Sequence, residues 1–272
     1  MKRRKSLATV TVIVLVISIA FFLTKKNNPP ESGSGKLPEL VLRISDPSQG
    51  YPEGDPYDTI LRYTGFTISY NEKNEEPAWV TYILTKSKVQ SGSEVRTENF
   101  RSDLNIVTGS ATIKDYTGSG YDRGHMAPAA DMKWSSKAMN ESFLLSNMSP
   151  QEKEFNRGIW SKLETKVRDW AVLNDSILVV TGPVLNGINK YIGKDSVGVP
   201  NYYFKVIADI SYPTYKIISF VLPNRASNKE IFNYTVTLDS VERLTGLKFF
   251  PGIRDKAMRN RLETTLSTDL WR

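Results

Sequence analysis

Four short runs along the chain have the composition and length of β-strands. They are rich in β-branched and aromatic residues and end at turn-forming residues, which is typical of strands. The runs are PAWVTYILT at 77–85, SILVVTGPV at 176–184, YYFKVIADI at 202–210 and YKIISFVLP at 215–223. Only SYPT separates the last two, so the pattern predicts that they pair as an antiparallel hairpin.

Three other segments place apolar residues at helical spacing. Segment 155–173, FNRGIWSKLETKVRDWAVL, has apolar residues along one helical face. Segment 135–147 predicts a helix capped by Ser135 or Ser136, and segment 239–247 predicts a short helix that ends at Gly246. Because strands and helices do not alternate regularly, the pattern favours an α+β fold with a largely antiparallel central sheet flanked by helices.

The first 40 residues follow a different pattern. Residues 2–5 are basic, and residues 6–23, SLATVTVIVLVISIAFFL, carry no charge. Eighteen residues of α-helix span about 27 Å, which is close to the hydrocarbon core of a bilayer. A cleaved signal peptide, which would release a secreted protein, is the alternative. Such peptides usually have a shorter apolar region and a small-residue cleavage site, and no clear site follows Leu23.

We therefore expect residues 6–23 to be a transmembrane signal-anchor, with the basic residues 1–5 in the cytoplasm. Residues 24–40 contain NNPPESGSG and predict a flexible linker. Residues 41–272 are then one domain outside the cytoplasm, in the periplasm or at the cell surface.

Composition excludes several kinds of site. The chain has no cysteine, which excludes disulfides, thiolate metal sites and cysteine nucleophiles, and its one histidine excludes a multi-histidine zinc site. The formal net charge is +7, but six of these charges lie on lysines and arginines between residues 2 and 26. The predicted domain 41–272 is near neutral, so any attraction to a polyanion must come from local clustering of charge.

The single histidine, His125, lies in the segment YDRGHMAPAAD at 121–131. A lone histidine is more often structural or exposed than catalytic, and Asp122-Arg123 could be a surface ion pair of little consequence. However, Gly124 allows a sharp turn or a close approach to a ligand, and an imidazole can take a proton from water. Arg123 offers a fork of donors that suits phosphate. A base beside a phosphate clamp is typical of phosphodiester hydrolysis.

Asn156, Trp160 and Glu164 recur at four-residue spacing in the predicted helix 155–173. On one α-helix they would lie within about 80° of one another, and Asn156 and Glu164 would be about 12 Å apart along the axis. That distance is too long for both to bind one ion directly, so one could bind a metal and the other a water around it. An asparagine oxygen suits a magnesium ion that keeps most of its waters. Equally, Asn156 could simply cap the helix.

These segments together resemble the DNA/RNA non-specific endonuclease family. The resemblance rests on DRGH at 122–125, SN-x-x-PQ at 146–151 and N-x-G-x-W-x-x-LE at 156–164, and it extends from about Tyr63 to Phe250. It implies a ββα-metal (His-Me finger) fold, in which two strands and a helix form a finger on a central sheet. It also allows a homodimer, and the sequence identifies no inhibitor protein.

The resemblance implies a role for each matching residue. His125 would be the general base, Asn156 the sole protein ligand of Mg²⁺ (or of Mn²⁺ or another divalent cation), and Glu164 would orient metal-bound water. Arg123 would stabilise the transition state. Asn147 would belong to the catalytic set by supporting the histidine and the finger.

The resemblance also implies an upstream arginine that contacts phosphate. VRTENFRSD at 95–103 offers Arg96 and Arg101, and we favour Arg96. The expected function is metal-dependent, sequence-non-specific cleavage of DNA and RNA to 5′-phosphates. The alternatives are a phosphodiesterase for small nucleotides and a non-catalytic nucleic-acid-binding module.

Overall fold

A seven-stranded antiparallel sheet is the frame of the structure, a computed structural model that describes residues 51–209, 215–266 and 268–272. In chain order the strands are β1 Thr59–Arg62, β2 Thr67–Asn71, β3 Glu76–Thr85, β4 Asp122–His125, β5 Met148–Gln151, β6 Ser176–Pro183, β7 Tyr191–Ile192, β8 Val197–Gly198, β9 Tyr202–Asp209, β10 Lys216–Pro223 and β11 Thr235–Val236. The large sheet has the order β1-β2-β3-β6-β9-β10-β11, and two small sheets pair β4 with β5 and β7 with β8.

The helices lie between the strands without regular alternation. They are α1 Lys86–Ser91, α2 Ile113–Tyr116, α3 Ser136–Glu141, α4 Ser161–Leu173, α5 Leu238–Thr245 and α6 Lys256–Thr264. A π-helix covers Phe155–Trp160, and 3₁₀ turns cover Ala129–Met132, Leu145–Asn147, Ile231–Tyr234 and Thr268–Trp271. The predicted α+β class with a largely antiparallel sheet is confirmed.

Alternation along the strands places one hydrophobic core on each face of the sheet. In β6, Ile177 and Val179 belong to the core under α4, whereas Leu178 and Val180 belong to the core under α5. All four side chains are at most 1% exposed, so the central strand is buried on both faces. A strand buried on both faces explains why segment 176–184 is an almost continuous apolar run.

The four predicted strands are confirmed as β3, β6, β9 and β10, with ends that shift by one residue. β9 and β10 pair in antiparallel register from Asp209 opposite Lys216 to Tyr202 opposite Pro223. The predicted pairing of these two strands is therefore confirmed, while the connecting residues 210–214 lie outside the described part of the chain. The short helix α5 is also confirmed, and Gly246 ends it with a φ of 78°, a conformation that favours glycine.

The predicted helix 135–147 was too long. Only α3 is α-helical, and a separate 3₁₀ turn follows at Leu145–Asn147. Carbonyl groups at the end of α3 bond to side chains from elsewhere: Arg101 donates to the Asn140 carbonyl, and Asn147 donates to the Ser142 carbonyl. The local sequence pattern favours a longer helix, but these hydrogen bonds satisfy the last carbonyl groups and α3 ends at Glu141.

The predicted helix 155–173 forms, but it is not one α-helix. Its first six residues are the π-helix Phe155–Trp160, and Gly158 departs from helical geometry with φ −102° and ψ −108°. The rotation of 100° per residue and the separation of about 12 Å predicted for Asn156 and Glu164 therefore do not apply. Single π-helical turns occur frequently at functional sites.

The predicted signal-anchor 6–23 and the linker 24–40 lie outside the described residues. The chain divides into two units, Met1–Leu40 and Val41–Arg272, and every described residue is in the second. In that described part, no helix is long and apolar enough to cross a membrane. The anchor and the domain boundaries stay predictions.

Candidate active site

A cavity of about 400 Å³ opens where β4 meets the π-helix and α4. Five of the residues singled out in the sequence line it together: Arg96, Arg123, His125, Asn156 and Glu164. Pro128, Ala129, Ala130, Arg157, Ser161 and Arg168 complete the wall. Residues up to 72 positions apart in the chain therefore meet at one polar site.

His125 is the last residue of β4, which pairs antiparallel with β5 so that His125 lies opposite Met148. Its Nε2 atom is buried and has no hydrogen-bond partner among the described residues. The imidazole packs edge-on against Phe100 and Phe143, with ring centroids 5.7 and 5.0 Å away. The surrounding protein thus holds the ring in place without using this nitrogen.

The same two aromatic rings also contact the two arginines that are predicted to bind phosphate. The Arg123 guanidinium lies 4.1 Å from the centroid of Phe100, and that of Arg96 lies 5.0 Å from the centroid of Phe143. Burial, followed by the positive charges of Arg96 and Arg123, lowers the pKa of His125 to about 3. The imidazole is therefore neutral, and able to accept a proton, throughout the neutral pH range.

Gly124 has a different role from the expected sharp turn. It lies within the extended strand β4, and a Cβ atom there would come within 2.2 Å of the Gln151 side chain on β5. A side chain at position 124 would force the buried Gln151 side chain to move, so a glycine fits here without disturbing it.

Asn147 lies in the 3₁₀ turn directly before β5 and does not line the cavity. Its side chain is fully buried; Nδ2 donates to the carbonyls of Ala127 and Ser142, and Oδ1 accepts from the Ala127 amide. The Met126 amide also donates to the Asn147 carbonyl. Asn147 therefore fixes the chain just after His125, which is a positioning role and involves no contact with the cavity.

Asp122 pairs with Arg157 rather than with the adjacent Arg123. Its carboxylate accepts two hydrogen bonds from Arg157, at 2.8 and 2.9 Å, and one from Nδ2 of Asn156 at 3.0 Å. Burial raises the pKa of Asp122, but the bonds from Arg157 and Asn156 outweigh it and hold that pKa below its usual range. The surface-pair interpretation of Asp122-Arg123 is therefore wrong.

The same contact orients the Asn156 amide. An ionised carboxylate only accepts hydrogen bonds, so Asn156 must turn its side-chain nitrogen towards Asp122. Its side-chain oxygen then points away from Asp122 and is available to a ligand. The side chain caps no helix, since Asn156 is the second residue of the π-helix and bonds to Asp122 instead. The helix-capping interpretation is therefore wrong.

The oriented Asn156 oxygen fits a divalent cation held by few protein ligands. The described residues contain no cluster of three or more His, Cys, Asp or Glu side chains that could hold a metal. The Asn156 oxygen is a hard ligand, and Mg²⁺ keeps several of its waters when one or two protein oxygens bind it.

Glu164 reaches the cavity from the first turn of α4. Burial raises the pKa of Glu164 to about 7 and is the largest influence; the Lys205 ammonium is the largest influence that lowers it, the Asp131 carboxylate raises it further, and Arg168 and Arg96 lower it by smaller amounts. Among these neighbours Arg168 also lines the cavity, and it forms an ion pair of 2.9 Å with the buried Asp131.

No role was predicted from the sequence for Arg157, Arg168, Asp131 or Lys205. Arg168 is four residues after Glu164 on the same helix, so its spacing could have identified it. Asp131 lies within the quoted segment 121–131, and Lys205 is a lone charge within the apolar run 202–210. A charge inside an apolar strand was the signal for a buried functional group.

Of the two candidate upstream arginines, Arg96 lines the cavity and Arg101 does not. Arg96 is exposed and forms an ion pair with Glu98, which is also exposed. The Arg101 guanidinium is engaged with Asn140, donating to its carbonyl at 3.0 Å and to its side-chain oxygen at 2.7 Å. The structure thus makes Arg96 available to a ligand and gives Arg101 a role at the end of α3.

Known nucleases are similar to this chain over most of its length. Human mitochondrial nuclease EXOG is 37% identical over 216 residues, which cover 73% of this chain and 59% of EXOG. A nuclease of Syncephalastrum racemosum is 35% identical over 80% of this chain and 73% of its own length. Human mitochondrial endonuclease G is 33% identical over 71% and 69% of the two chains. The chain thus spans less than two thirds of the length of EXOG.

The fold is also similar to a solved structure. The crystal structure of the EndoG/EndoGI complex matches with a TM-score of 0.70 and 33% identity. The match covers 81% of this chain and 93% of the other. The model of the DNA/RNA non-specific endonuclease family matches residues 47–256. The chain therefore belongs to the DNA/RNA non-specific endonuclease family, as the motifs around His125 indicate.

Proposed function

We propose that this protein is a metal-dependent, sequence-non-specific endonuclease that hydrolyses phosphodiester bonds of DNA and RNA and leaves 5′-phosphates. The observation that carries the proposal is the cavity itself. It places an imidazole beside two arginines, and it presents an oriented asparagine oxygen in the same wall. A base, an anion clamp and a hard ligand for a cation are the parts that phosphodiester hydrolysis requires.

Arg96 and Arg123 bind the scissile phosphate. Both guanidinium groups lie against aromatic rings that flank His125, so a phosphate between them is also beside the imidazole. The bound phosphate is an anion, and it offsets the two positive charges that repel a proton from His125. Substrate binding therefore raises the proton affinity of the imidazole when the base is needed.

His125 takes a proton from the water that attacks phosphorus, and Asn147 keeps the backbone after His125 in place through its three side-chain hydrogen bonds. Mg²⁺, or Mn²⁺ in its place, held by the Asn156 oxygen would neutralise charge on the phosphate and on the leaving 3′ oxygen. Glu164 orients water at this part of the cavity wall. Because these contacts are with the phosphate, they carry no base information, and both DNA and RNA are expected substrates.

We also propose that residues 6–23 anchor the protein in a membrane, with the catalytic domain in the periplasm or at the cell surface. The uncharged length of 18 residues and the basic residues before it support this proposal. Cell fractionation, combined with protease treatment of intact cells, tests this proposal. A protein that is found in the soluble fraction and is also protected from the protease would contradict it.

The test of the nuclease proposal uses the full-length chain, purified in detergent. Supercoiled plasmid and bulk RNA are incubated with it in magnesium and in EDTA, and the His125→Ala variant is treated in parallel. We expect both polymers to be cut only with metal, and the variant to lose a factor of about 10²–10⁴ in rate.

Other outcomes separate the alternatives. Cleavage of a small phosphodiester with intact polymers would favour a phosphodiesterase for small nucleotides. Tight binding of DNA by a folded protein without turnover would favour a non-catalytic binding module. A His125→Ala variant that keeps more than about a tenth of the rate would contradict the assignment of the base.

A further inference from the structure

A fully buried carboxylate lies behind the wall of the cavity. Asp131 is in the 3₁₀ turn Ala129–Met132, on the segment that follows His125, and its side chain has no exposed surface. Its neighbours Ala129 and Ala130 line the cavity, but Asp131 does not. Burying a carboxylate is unfavourable unless it is paired and hydrogen-bonded, so its partners indicate what this carboxylate does.

Each oxygen of the Asp131 carboxylate accepts a hydrogen bond from a different element. Oδ1 accepts a bond of 2.9 Å from Nη1 of Arg168 on α4, and Oδ2 accepts a bond of 2.8 Å from the hydroxyl of Tyr82 on β3. Burial raises the pKa of Asp131, and the charge and hydrogen bond of Arg168 are the largest influences that lower it. Asp131 therefore connects the central sheet to the Arg168 guanidinium.

Arg168 presents the rest of its guanidinium group to the cavity. Its side chain is 23% exposed and lines the same wall as His125. A guanidinium has five N–H donors; one of them bonds to Asp131, and one on Nη2 bonds to the Thr165 hydroxyl at 2.9 Å. These two bonds fix the orientation of the group and leave its other donors for an anion in the cavity.

The stability of the fold alone does not explain this ion pair. A buried ion pair is often no more stable than a well-packed apolar pair of similar volume, because both charges lose their water. The pair of Asp131 and Arg168 begins at the central sheet and ends at the cavity. Its position therefore favours a role in orienting the group that reaches the cavity.

We propose that Asp131 is a positioning residue for the cleavage reaction, whose buried carboxylate holds the Arg168 guanidinium in the cavity wall for contact with the substrate phosphate. Its effect on turnover rests on the proposed nuclease function, whereas its hold on Arg168 does not. Without Asp131 the long arginine side chain loses its fixed partner and leaves this orientation.

The kinetic test compares plasmid cleavage by Asp131→Ala, Arg168→Met and the double variant, each in the full-length protein. We expect each single change to lower kcat/KM by about 10²-fold, which is the loss expected when a substrate-binding group is misplaced by about 1 Å. The double variant should lose little more than Arg168→Met alone, because Asp131 acts through Arg168. Asp131→Asn keeps an acceptor for Arg168 and should restore most of the rate.

Asp169→Ala is the matched control. Asp169 is the next residue after Arg168 on α4, and its exposed carboxylate does not line the cavity. Removing a negative charge does not by itself weaken binding of a polyanion, so this variant should keep its kcat/KM. Losses from Asp131→Ala and Arg168→Met that multiply in the double variant would show that Asp131 acts independently of Arg168, and would overturn the proposal.

A direct measurement separates this proposal from the nuclease proposal. Rotation of the Arg168 guanidinium is followed by NMR in protein labelled on arginine, with its signal assigned by Arg168→Lys. We expect slow rotation in the unaltered protein and fast rotation in Asp131→Ala. Fast rotation in the unaltered protein overturns the proposal even if Asp131→Ala does not fold, and rotation that stays slow in Asp131→Ala overturns it as well. If no polymer is cleaved but the rotation changes as expected, the nuclease proposal alone has failed.

Discussion

At the residue scale, the chemistry of His125 depends on two neighbouring arginines and on burial. All three lower its pKa to about 3, compared with about 6.5 for a histidine in an unfolded chain. Between these values the unfolded chain binds a proton and the folded chain does not. Stability contributed by the neutral imidazole is therefore present above pH 6.5 and is lost as the pH falls towards 3.

We predict that His125→Ala weakens the acid sensitivity of the fold. Each pH unit between the two pKa values is worth about 1.4 kcal/mol, so unaltered protein should lose about 3 kcal/mol of unfolding free energy through His125 between pH 6.5 and pH 4. Urea unfolding at the two pH values measures this loss, and the variant should lose about 3 kcal/mol less. Equal losses in the two proteins would show that the imidazole titrates normally in the folded state.

Asp122 is another residue whose effect acts through a neighbour. We predict that Asp122→Asn lowers the affinity for Mg²⁺ by about 10–100-fold, because an amide no longer forces the Asn156 oxygen to face away from it. Asn156→Ala should lower it further, with little effect on DNA binding in EDTA. Calorimetry of metal binding without substrate measures both effects.

The control for this prediction is Asp169→Asn, which alters an exposed carboxylate on α4. It should leave metal affinity unchanged. An Asn156→Ala protein with normal metal affinity would exclude Asn156 as the ligand.

At the element scale, Asn147 connects three segments next to the β4–β5 pair. Its side chain joins the chain after β4 to the end of α3, and it lies in the 3₁₀ turn that leads into β5. We predict that Asn147→Ala lowers the free energy of unfolding by about 3 kcal/mol, because buried backbone groups lose their partners. Urea unfolding measures this loss.

Asn186→Ala provides the comparison, since Asn186 is exposed and donates one hydrogen bond to the Leu244 carbonyl. It should cost less than about 1 kcal/mol. If Asn147→Ala were as stable as the unaltered protein and yet inactive, Asn147 would contact the substrate directly, contrary to its position beneath the cavity.

Elements whose pattern is set by local burial could be predicted from sequence. β6 is apolar on both faces because it is central, and α5 ends at a glycine because its cap requires a positive φ. The early end of α3 could not be predicted, because Arg101 and Asn147 reach it from distant segments. The π-helix at 155–160 also escaped prediction, since its apolar positions fit an ordinary α-helix equally well.

At the scale of the whole molecule, positive charge concentrates in the cavity although the predicted catalytic domain is nearly neutral. The cavity wall contains four arginines and one carboxylate. Two of these arginines, Arg96 and Arg123, were identified from the sequence. Arg157 on the π-helix and Arg168 on α4 reach the cavity through the packing of these helices, which the sequence did not predict. The local clustering expected for binding of a polyanion is therefore a product of the fold.

This clustering leads to a prediction about salt. Affinity for nucleic acid falls with salt in proportion to the number of phosphates that the protein contacts. We predict that Arg96→Ala lowers the slope of log affinity against log salt concentration by about 1, because Arg96 lines the cavity and its present partner, Glu98, is exposed. Fluorescence anisotropy with a DNA duplex and an RNA strand measures the slope, in EDTA to prevent cleavage.

Arg101→Ala is the control that decides between the two upstream arginines. It removes the bonds to Asn140 at the end of α3, so it should lower stability and leave the salt slope unchanged. A reduced slope for Arg101→Ala with a normal slope for Arg96→Ala would transfer the phosphate contact to Arg101. Because the phosphate backbone is common to both polymers, the slope should change equally for DNA and RNA, and a change confined to one of them would indicate recognition beyond the phosphate.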